Sequence, residues 1–304
     1  MSAAQIEFLQ HLINGVSLGA IYALIALGYT MVFGILQLIN FAHGDVYMLG
    51  AFSGYYISRF TGLSTKPSIS TFLFTLVASM VTCGAVGFCI ERFAYRPLRK
   101  KPRINVLITA VGVSLFLEFA GQVIFGADPK YFPPLYQTGE PLTYGGLQIN
   151  PMQLLVFVIA LILMAILRII IFHTKIGRAM RAVSFSHDLA ALMGIHVDRV
   201  ISFTFVLGSS LAAAAGILVA STYPRIEPLM GVMPGLKAFV AAVFGGIGNV
   251  TGAMVGAITM GVAEEMVVGY SASTYRDALA FGILILILLF KPTGLLGKKV
   301  SEKV

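Results

Sequence analysis

The sequence predicts an all-α membrane protein that crosses the bilayer several times. Of its 304 residues, 58% are hydrophobic and 11% are charged, whereas a soluble domain usually carries about 25% charged residues. The few charges are also unevenly spaced and leave long segments with none. The 32 glycines lie among apolar residues without a collagen repeat. These observations exclude a soluble enzyme, a disordered chain and a scaffold held by disulfides.

Charge-free segments mark the predicted spans. Five segments lack Asp, Glu, Lys and Arg over more than the roughly 20 residues that cross the hydrocarbon core as a helix: 8–44, 67–90, 141–167, 200–224 and 238–263. The segment 104–127 contains only Glu118, and 275–290 is apolar after its first turn. These hydrophobic runs are continuous rather than alternating, which predicts helices and not the strands of a barrel.

Two segments leave the number of transmembrane helices open at about eight or nine. Residues 8–60 fit two spans with an irregular break near 39–45. The glycine-rich residues 236–268 fit either two spans or two half-helices, with the break near 245–252. We expect broken or re-entrant segments at both places. Because no hydrophilic stretch is long enough to fold alone, residues 1–304 are predicted to form a single transmembrane domain.

The positions of Lys and Arg predict the orientation in the membrane. Fifteen of the 21 basic residues lie in three segments: 91–103, 168–199 and 291–304. The loop 126–151 holds only Lys130. We therefore expect 91–103, 173–199 and the C-terminus in the cytoplasm, and the loops 126–151 and 222–236 on the periplasmic side. The net charge of +8 then reflects topology and not nucleic-acid binding, because no basic run has interleaved aromatic residues.

The sequence lacks the motifs of several enzyme classes. A P-loop requires Gly-x-x-x-x-Gly-Lys-Ser/Thr, and the nearest run, Gly294–Lys299, has the wrong spacing. Neither a zinc-protease motif nor a dinucleotide-binding fingerprint occurs. Cys83 and Cys89 fall in one predicted span and face different sides of a helix, which predicts packing residues rather than a disulfide or metal site. We expect no enzyme activity, no bound metal and no cofactor of its own.

The predicted cytoplasmic segment 173–199 contains a short helix with an apolar face. Ser186 and Asp188 are typical of a helix start, and Gly194 of a helix end. Apolar residues recur at helical spacing between them: Leu189, Leu192 and Met193. This face either lies on the protein's own spans or the lipid surface, or docks into a groove of a partner protein.

Polar residues interrupt the apolar sequence after the long first span. Asn40, His43 and Asp45 lie between apolar runs, and Gly44 permits a break in the backbone. Polar groups at membrane depth are unfavourable unless they line a cavity or face other helices. The segment is therefore either part of a substrate path at a broken helix or a turn at the membrane edge, with Asp45 capping the next helix.

A second candidate for a helix break is rich in glycine: Gly245, Gly246, Gly248 and Asn249. Glycines continue at every fourth residue from 248 to 256, and Gly15 and Gly19 share this spacing. Small residues on one face allow two helices to approach closely. The alternative is that the helices break here and present their backbone to a polar ligand.

Three acidic residues in or near predicted spans are also candidates for function. Glu118 lies in the middle of a span, and Glu264 and Glu265 follow the glycine-rich region. A proton-driven carrier would need such carboxylates. The alternative for Glu264 and Glu265 is a position at the outer interface beside Arg276.

Several runs of the sequence resemble the permeases of branched-chain amino-acid ABC transporters, most closely the LivH type. These runs are Gly19–Gly28, Asn40–Asp45 with Met48 and Gly50, Gly177–Ala182, Leu192–Ile195, Lys237–Gly248 and Pro292–Gly297. They occur in order over nearly the whole chain. The resemblance implies a multi-pass membrane subunit of an ATP-driven importer in the bacterial inner membrane.

The resemblance also implies partners. These are a homologous second permease, two ABC ATPase subunits that bind the ATP, and a periplasmic solute-binding protein. The segment Asp188–Gly194 is similar to the Glu-Ala-Ala-x-x-x-Gly motif of ABC permeases, with Asp for Glu and Leu for the first Ala. It implies an ATPase-coupling role for the following residues: Gly177, Arg178, Arg181, Asp188, Ala190, Leu192 and Gly194.

The amino acid would pass between the two permeases. The residues at the two predicted breaks are the candidates for lining its path: Asn40, His43, Asp45, Gly245, Gly246, Gly248 and Asn249. Two alternatives remain open. The first is an ABC permease for urea or short amides, and the second is an ion-coupled secondary carrier that uses Asp45, Glu118 or Glu264.

Overall fold

The computed structural model describes residues 2–99, 101–137 and 139–297, and most of them are helical. The helices in these ranges are α1 Ala3–Leu36, α2 His43–Phe60, α3 Ile69–Cys89, α4 Arg103–Phe125, α5 Pro151–His173, α6 Lys175–Phe185, α7 His187–Leu192, α8 Val197–Thr222, α9 Val232–Gly245, α10 Val250–Tyr270 and α11 Tyr275–Phe290. The chain continues from α3 as a π-helix, Ile90–Tyr95, and a 3-10 turn, Arg96–Leu98. Four short strands form two antiparallel pairs: β1 Lys130–Tyr131 with β4 Arg225–Ile226, and β2 Leu142–Tyr144 with β3 Leu147–Ile149.

Six helical segments within the described residues are long and apolar enough to cross a membrane. They are α1, α3 with its continuation, α4, α5, α8 and α10. The helices α2, α9 and α11 have 18, 14 and 16 residues. The helical class predicted from the continuous apolar runs is therefore confirmed.

One end of the helix bundle, which we call the basic end, gathers the described parts of the three basic segments. His187 Nε2 lies 2.8 Å from the backbone oxygen of Ile35, near the C-terminus of α1. Arg96 lies 2.6 Å from Asp198, at the start of α8. The backbone N–H of Leu296 donates to the backbone oxygen of Gly245, 3.0 Å away. The ends of α1, α3, α8 and α9 therefore meet α6, α7 and the segment after α11.

The other end of the bundle, the opposite end, carries the two long loops. Lys130 in β1 pairs with Ile226 in β4, so the loops 126–150 and 223–231 contact each other. Gln10 Nε2 donates to the backbone oxygen of Gln148 at 2.8 Å. The start of α1 therefore lies at the opposite end, a placement that the sequence left open.

Glycines bring α1 and α10 together at the centre of the bundle. A Cβ atom on Gly19 would lie 2.6 Å from the Cα atom of Ile258, and one on Gly15 would lie 2.6 Å from the Cα atom of Val262. Gly261 faces Gly19 across the same crossing. Since real Cβ atoms do not approach backbone so closely, the spacing of Gly15 and Gly19 serves close helix packing, as the small-residue pattern predicted.

A buried ion network joins α9, α10 and α11. Glu264 is fully buried and lies 3.3 Å from Lys237 Nζ and 3.2 Å from Arg276 Nε. Lys237 also lies 2.7 Å from Asp277, and Tyr22 of α1 donates its hydroxyl to Glu264 at 3.1 Å. Glu264 is thus beside Arg276, as one sequence interpretation proposed, but it is buried and its charge is compensated. Lys237 and Arg276 each have a second acidic partner, Asp277 and Glu265.

Replacing Gly261 by Ala is expected to destabilise the protein by roughly 1–3 kcal/mol or more, because the new methyl group overlaps the backbone of α1. Thermal unfolding in detergent measures this as a lower midpoint. Gly112→Ala is the matched control, since Gly112 is also helical and a Cβ there meets nothing within 4 Å. Equal midpoints for the two variants would contradict the close crossing of α1 and α10.

Candidate functional site

The first break in the helices lies deep inside the bundle. Gln37 has a φ of 53°, which ends α1, and the chain turns back toward the middle of α1 before α2 begins at His43. His43 is 1% exposed, and its Nε2 lies 3.2 Å from the backbone oxygen of Ile25. Its ring packs edge-on against Tyr29, with 4.7 Å between ring centroids. The segment therefore interrupts the helices and runs from the exposed Gln37 to the buried His43.

A second helix begins at the same depth and meets the first. A Cβ atom on Gly44 would lie 2.7 Å from the backbone oxygen of Gly231, and one on Gly235 would lie 2.9 Å from the Cα atom of Gly44. The N-termini of α2 and α9 thus touch through glycine backbone. The charge pattern predicted an outer loop over 222–236, whereas α9 begins at Val232, inside the protein.

The acid at the start of α2 has a polar partner on α4. Asp45 is 2% exposed, and its Oδ2 accepts a hydrogen bond of 2.5 Å from the Ser114 hydroxyl. It lies in the first turn of α2, where a negative charge is favoured by the helix dipole. Ala42, and not Asp45, occupies the N-cap position. Glu118 follows one turn after Ser114 on α4.

Asn40 connects the first break to the π-helix that follows α3. Its Oδ1 accepts a hydrogen bond of 3.0 Å from the Tyr95 hydroxyl, and both side chains are buried. The Tyr95 ring in turn packs on Phe205 of α8, with 5.1 Å between centroids. The role of Tyr95 was not predicted, because nothing in the sequence around this tyrosine indicates a hydrogen-bond partner 55 residues away.

The glycine-rich break lies at the basic end, apart from the first break. Gly246 and Gly248 have φ values of 111° and 89°, a conformation that glycine adopts readily. Asn249 caps α10 through Oδ1 and donates from Nδ2 to the backbone oxygen of Leu296 at 2.8 Å. Gly245 accepts a hydrogen bond from Leu296. In the described part of the chain, this turn contacts residues 294–297 and Gly34, and it does not form one site with Asn40, His43 and Asp45.

The helix α6 folds back on the end of α5. Gly177 leaves no room for a side chain against the backbone oxygens of Ile170 and Ile171. Arg181 donates to the Ile171 backbone oxygen, and its guanidinium lies 5.6 Å from the centre of the Phe172 ring. Both residues therefore position the segment, although Arg181, like Arg178, is also exposed to solvent.

The short helix predicted after Ser186 is present as α7 and exposes its apolar face. The Ser186 hydroxyl accepts from the backbone N–H of Leu189, and Gly194 has a φ of 79° after the helix end. Ala190 is buried, whereas Asp188 is exposed. The apolar side chains point outward with exposed fractions of 55%, 82% and 82%: Leu189, Leu192 and Met193. We call these three residues the α7 surface.

An ion cluster anchors the start of α8 beside this segment. Arg99 pairs with the fully buried Glu91 and lies 2.8 Å from Asp198. The Ser202 hydroxyl donates to Glu91 at 2.6 Å. Burial lowers the pKa of the Arg99 guanidinium, and Asp198 opposes this shift. Within the described residues, no group of His, Cys, Asp and Glu side chains is arranged to hold a metal ion.

Comparison with known proteins identifies the family. The family described as the permease component of branched-chain amino acid transport systems matches residues 11–288. The chain is 41% identical to the high-affinity branched-chain amino acid transport permease LivH of Salmonella typhimurium and 42% identical to LivH of Escherichia coli K12, each over 100% of both chains. It is 43% identical to the permease BraD of Pseudomonas aeruginosa over 98% of both chains. The chain therefore belongs to the family of permease components of branched-chain amino acid transport systems.

Proposed function

We propose that this protein is the membrane permease subunit of an ATP-driven importer for branched-chain amino acids. The observation that carries the proposal is the α7 surface. The chain belongs to a permease family, and it exposes three apolar side chains on a helix outside the predicted spans. A soluble partner that covers this surface would remove it from water. An ATPase subunit is a partner that fits.

The coupling segment contains residues that hold it and residues that are free to touch a partner. Gly177, Arg181 and Ala190 hold α6 and α7 against the bundle. Among the residues with an implied coupling role, the exposed ones are the candidates for ATPase contact: Arg178, Arg181, Asp188, Leu192 and Gly194. Two ATPase subunits bind the ATP in this proposal. A homologous second permease and a periplasmic solute-binding protein complete the transporter.

We place the basic end in the bacterial cytoplasm, because basic residues concentrate on that side of inner-membrane proteins. The opposite end then faces the periplasm together with the start of α1. The half-helices α2 and α9 each complete a crossing with the irregular segment before them. Counted in this way, the chain crosses about nine times.

The meeting point of α2 and α9 is our candidate for the solute path. Helix N-termini present backbone N–H groups and a partial positive charge, which suit the carboxylate of an amino acid. Asp45 offers a carboxylate for the ammonium group, and Asn40 and His43 add polar atoms. The turn at Gly245, Gly246, Gly248 and Asn249 lies at the basic end, where the solute would leave. Because the deep residues are buried, passage requires α2 and α9 to move.

Leu192→Asn is expected to weaken binding of the ATPase subunits roughly 30-fold, because an exposed apolar anchor is lost from the α7 surface. Co-purification of the ATPase with the permease, followed by titration, measures the loss. Leu142→Asn is the matched control, since Leu142 is 56% exposed but lies at the opposite end. Normal ATPase binding by Leu192→Asn would refute the docking role of α7.

Leucine uptake is expected to require ATP and to persist when a protonophore dissipates the proton gradient. The measurement uses proteoliposomes that contain the complete transporter, with ATP enclosed on the ATPase side. The buried network around Glu264 supports this result, because its charges are already paired within the protein. Uptake by the permease alone, driven by a proton gradient, would instead establish an ion-coupled carrier.

A further inference from the structure

A groove at the basic end plays no part in the proposed solute path. It lies between the end of α3 and the α7–α8 connection and has a volume of about 910 Å³. We call it the α3–α8 groove. One end of it is lined by apolar residues from the helices of two candidate spans, among them Phe88, Phe203 and Val206. Its other end is lined by three arginines and a histidine: Arg92, Arg96, Arg199 and His196.

The cationic end of the groove carries uncompensated charge. Three arginines and one carboxylate, Asp198, line it, which leaves an excess of two positive charges. Asp198 is already occupied by Arg96 and Arg99, at 2.6 and 2.8 Å. Arg92 and Arg199 are exposed, and neither guanidinium group has a hydrogen-bond or ion-pair partner among the residues that the structure describes. Two guanidinium groups are therefore available to an anion.

We propose that the α3–α8 groove binds an anionic phospholipid, with the head-group phosphate between Arg92 and Arg199. Guanidinium groups match the geometry of phosphate oxygens. Basic pockets between membrane helices on the cytoplasmic side are suited to anionic head groups. One acyl chain lies along Phe88, Phe203 and Val206. This inference requires only that the basic end meets the bilayer, and it is independent of the solute carried.

The apolar wall distinguishes a lipid from other anions and from a soluble partner. Phe203 and Val206 lie about one and two turns beyond Arg199 along α8, in the direction of the membrane interior. A free phosphate ion gains nothing from these side chains. A soluble ATPase reaches the α7 surface but not a wall that continues into the hydrocarbon region. A phospholipid has its phosphate at the membrane surface and its hydrocarbon deeper in the bilayer. The groove has its arginines and its phenylalanines in the same order.

The test compares phosphatidylglycerol binding by the complete transporter and by its Arg92→Gln/Arg199→Gln variant. Native mass spectrometry counts the lipids retained in detergent during titration with phosphatidylglycerol or phosphatidylcholine. We expect the variant to bind phosphatidylglycerol about 25-fold more weakly, since each surface arginine contributes roughly fivefold. Phosphatidylcholine retention stays unchanged.

The matched control is Arg168→Gln/Lys175→Gln, which also removes two positive charges near the basic end but outside the groove. It should retain phosphatidylglycerol like the unaltered protein. Arg92→Lys/Arg199→Lys keeps the charge and should restore most of the binding. Size-exclusion chromatography verifies that each variant is folded and assembled.

Three results would overturn the proposal. Equal loss of phosphatidylglycerol in both Gln variants would indicate a general charge effect. Displacement of the lipid by millimolar inorganic phosphate would indicate a simple anion site. Loss of ATPase subunits from Arg92→Gln/Arg199→Gln, with lipid binding intact, would assign the groove to the ATPase contact.

Discussion

The contact between the N-termini of α2 and α9 is the constraint on which the rest of the structure depends. A chain in a bilayer can interrupt a helix only where protein satisfies the freed backbone groups. Here two interrupted helices meet in the interior, and Gly44, Gly231 and Gly235 allow their backbones to touch. Around this point, Asp45 binds Ser114 and His43 approaches Ile25. Two buried helix N-termini at one place would be unfavourable without nearby hydrogen-bond acceptors for their backbone N–H groups. The polar residues of the break and the glycines of the contact therefore form one structural unit.

Both interrupted helices are tied to complete helices. The segment before α2 is tied toward the basic end, and α9 is tied toward the opposite end, where α11 begins. Asn40 is held by Tyr95, at the end of α3, and Lys237 on α9 is held by Glu264 and Asp277 on α10 and α11. His187, at the start of α7, contacts the last turn of α1. The α7 surface is thus connected to α1, and α1 contacts both α2 and α9. In our proposal, this connection is the route by which ATPase movement opens the contact between α2 and α9.

Sequence reasoning predicted the parts of the fold that leave a local signal. The spans of α3, α4, α5 and α8 follow from apolar runs bounded by charges, and α7 follows from Ser186, the apolar residues and Gly194. The break before α2 was suggested by Asn40 and Gly44. The buried start of α9 was not predicted, because residues 223–231 have the polarity of an outer loop and their partner, Gly44, is remote in the sequence. Lys237 was likewise overlooked as a buried charge, since nothing local reveals Glu264 or Asp277 as its partners.

The accessibility of position 42 tests most directly whether the contact between α2 and α9 is the solute path. Ala42 is fully buried beside His43. In a transporter with Cys83 and Cys89 replaced by Ser, Ala42→Cys is treated with a small maleimide at rest and during ATP hydrolysis. We expect labelling at least about tenfold faster during turnover and slower again with saturating leucine, because opening exposes the path and the solute covers it. Equal, slow labelling in every state, as expected for Ala212→Cys in the core of α8, would contradict the account.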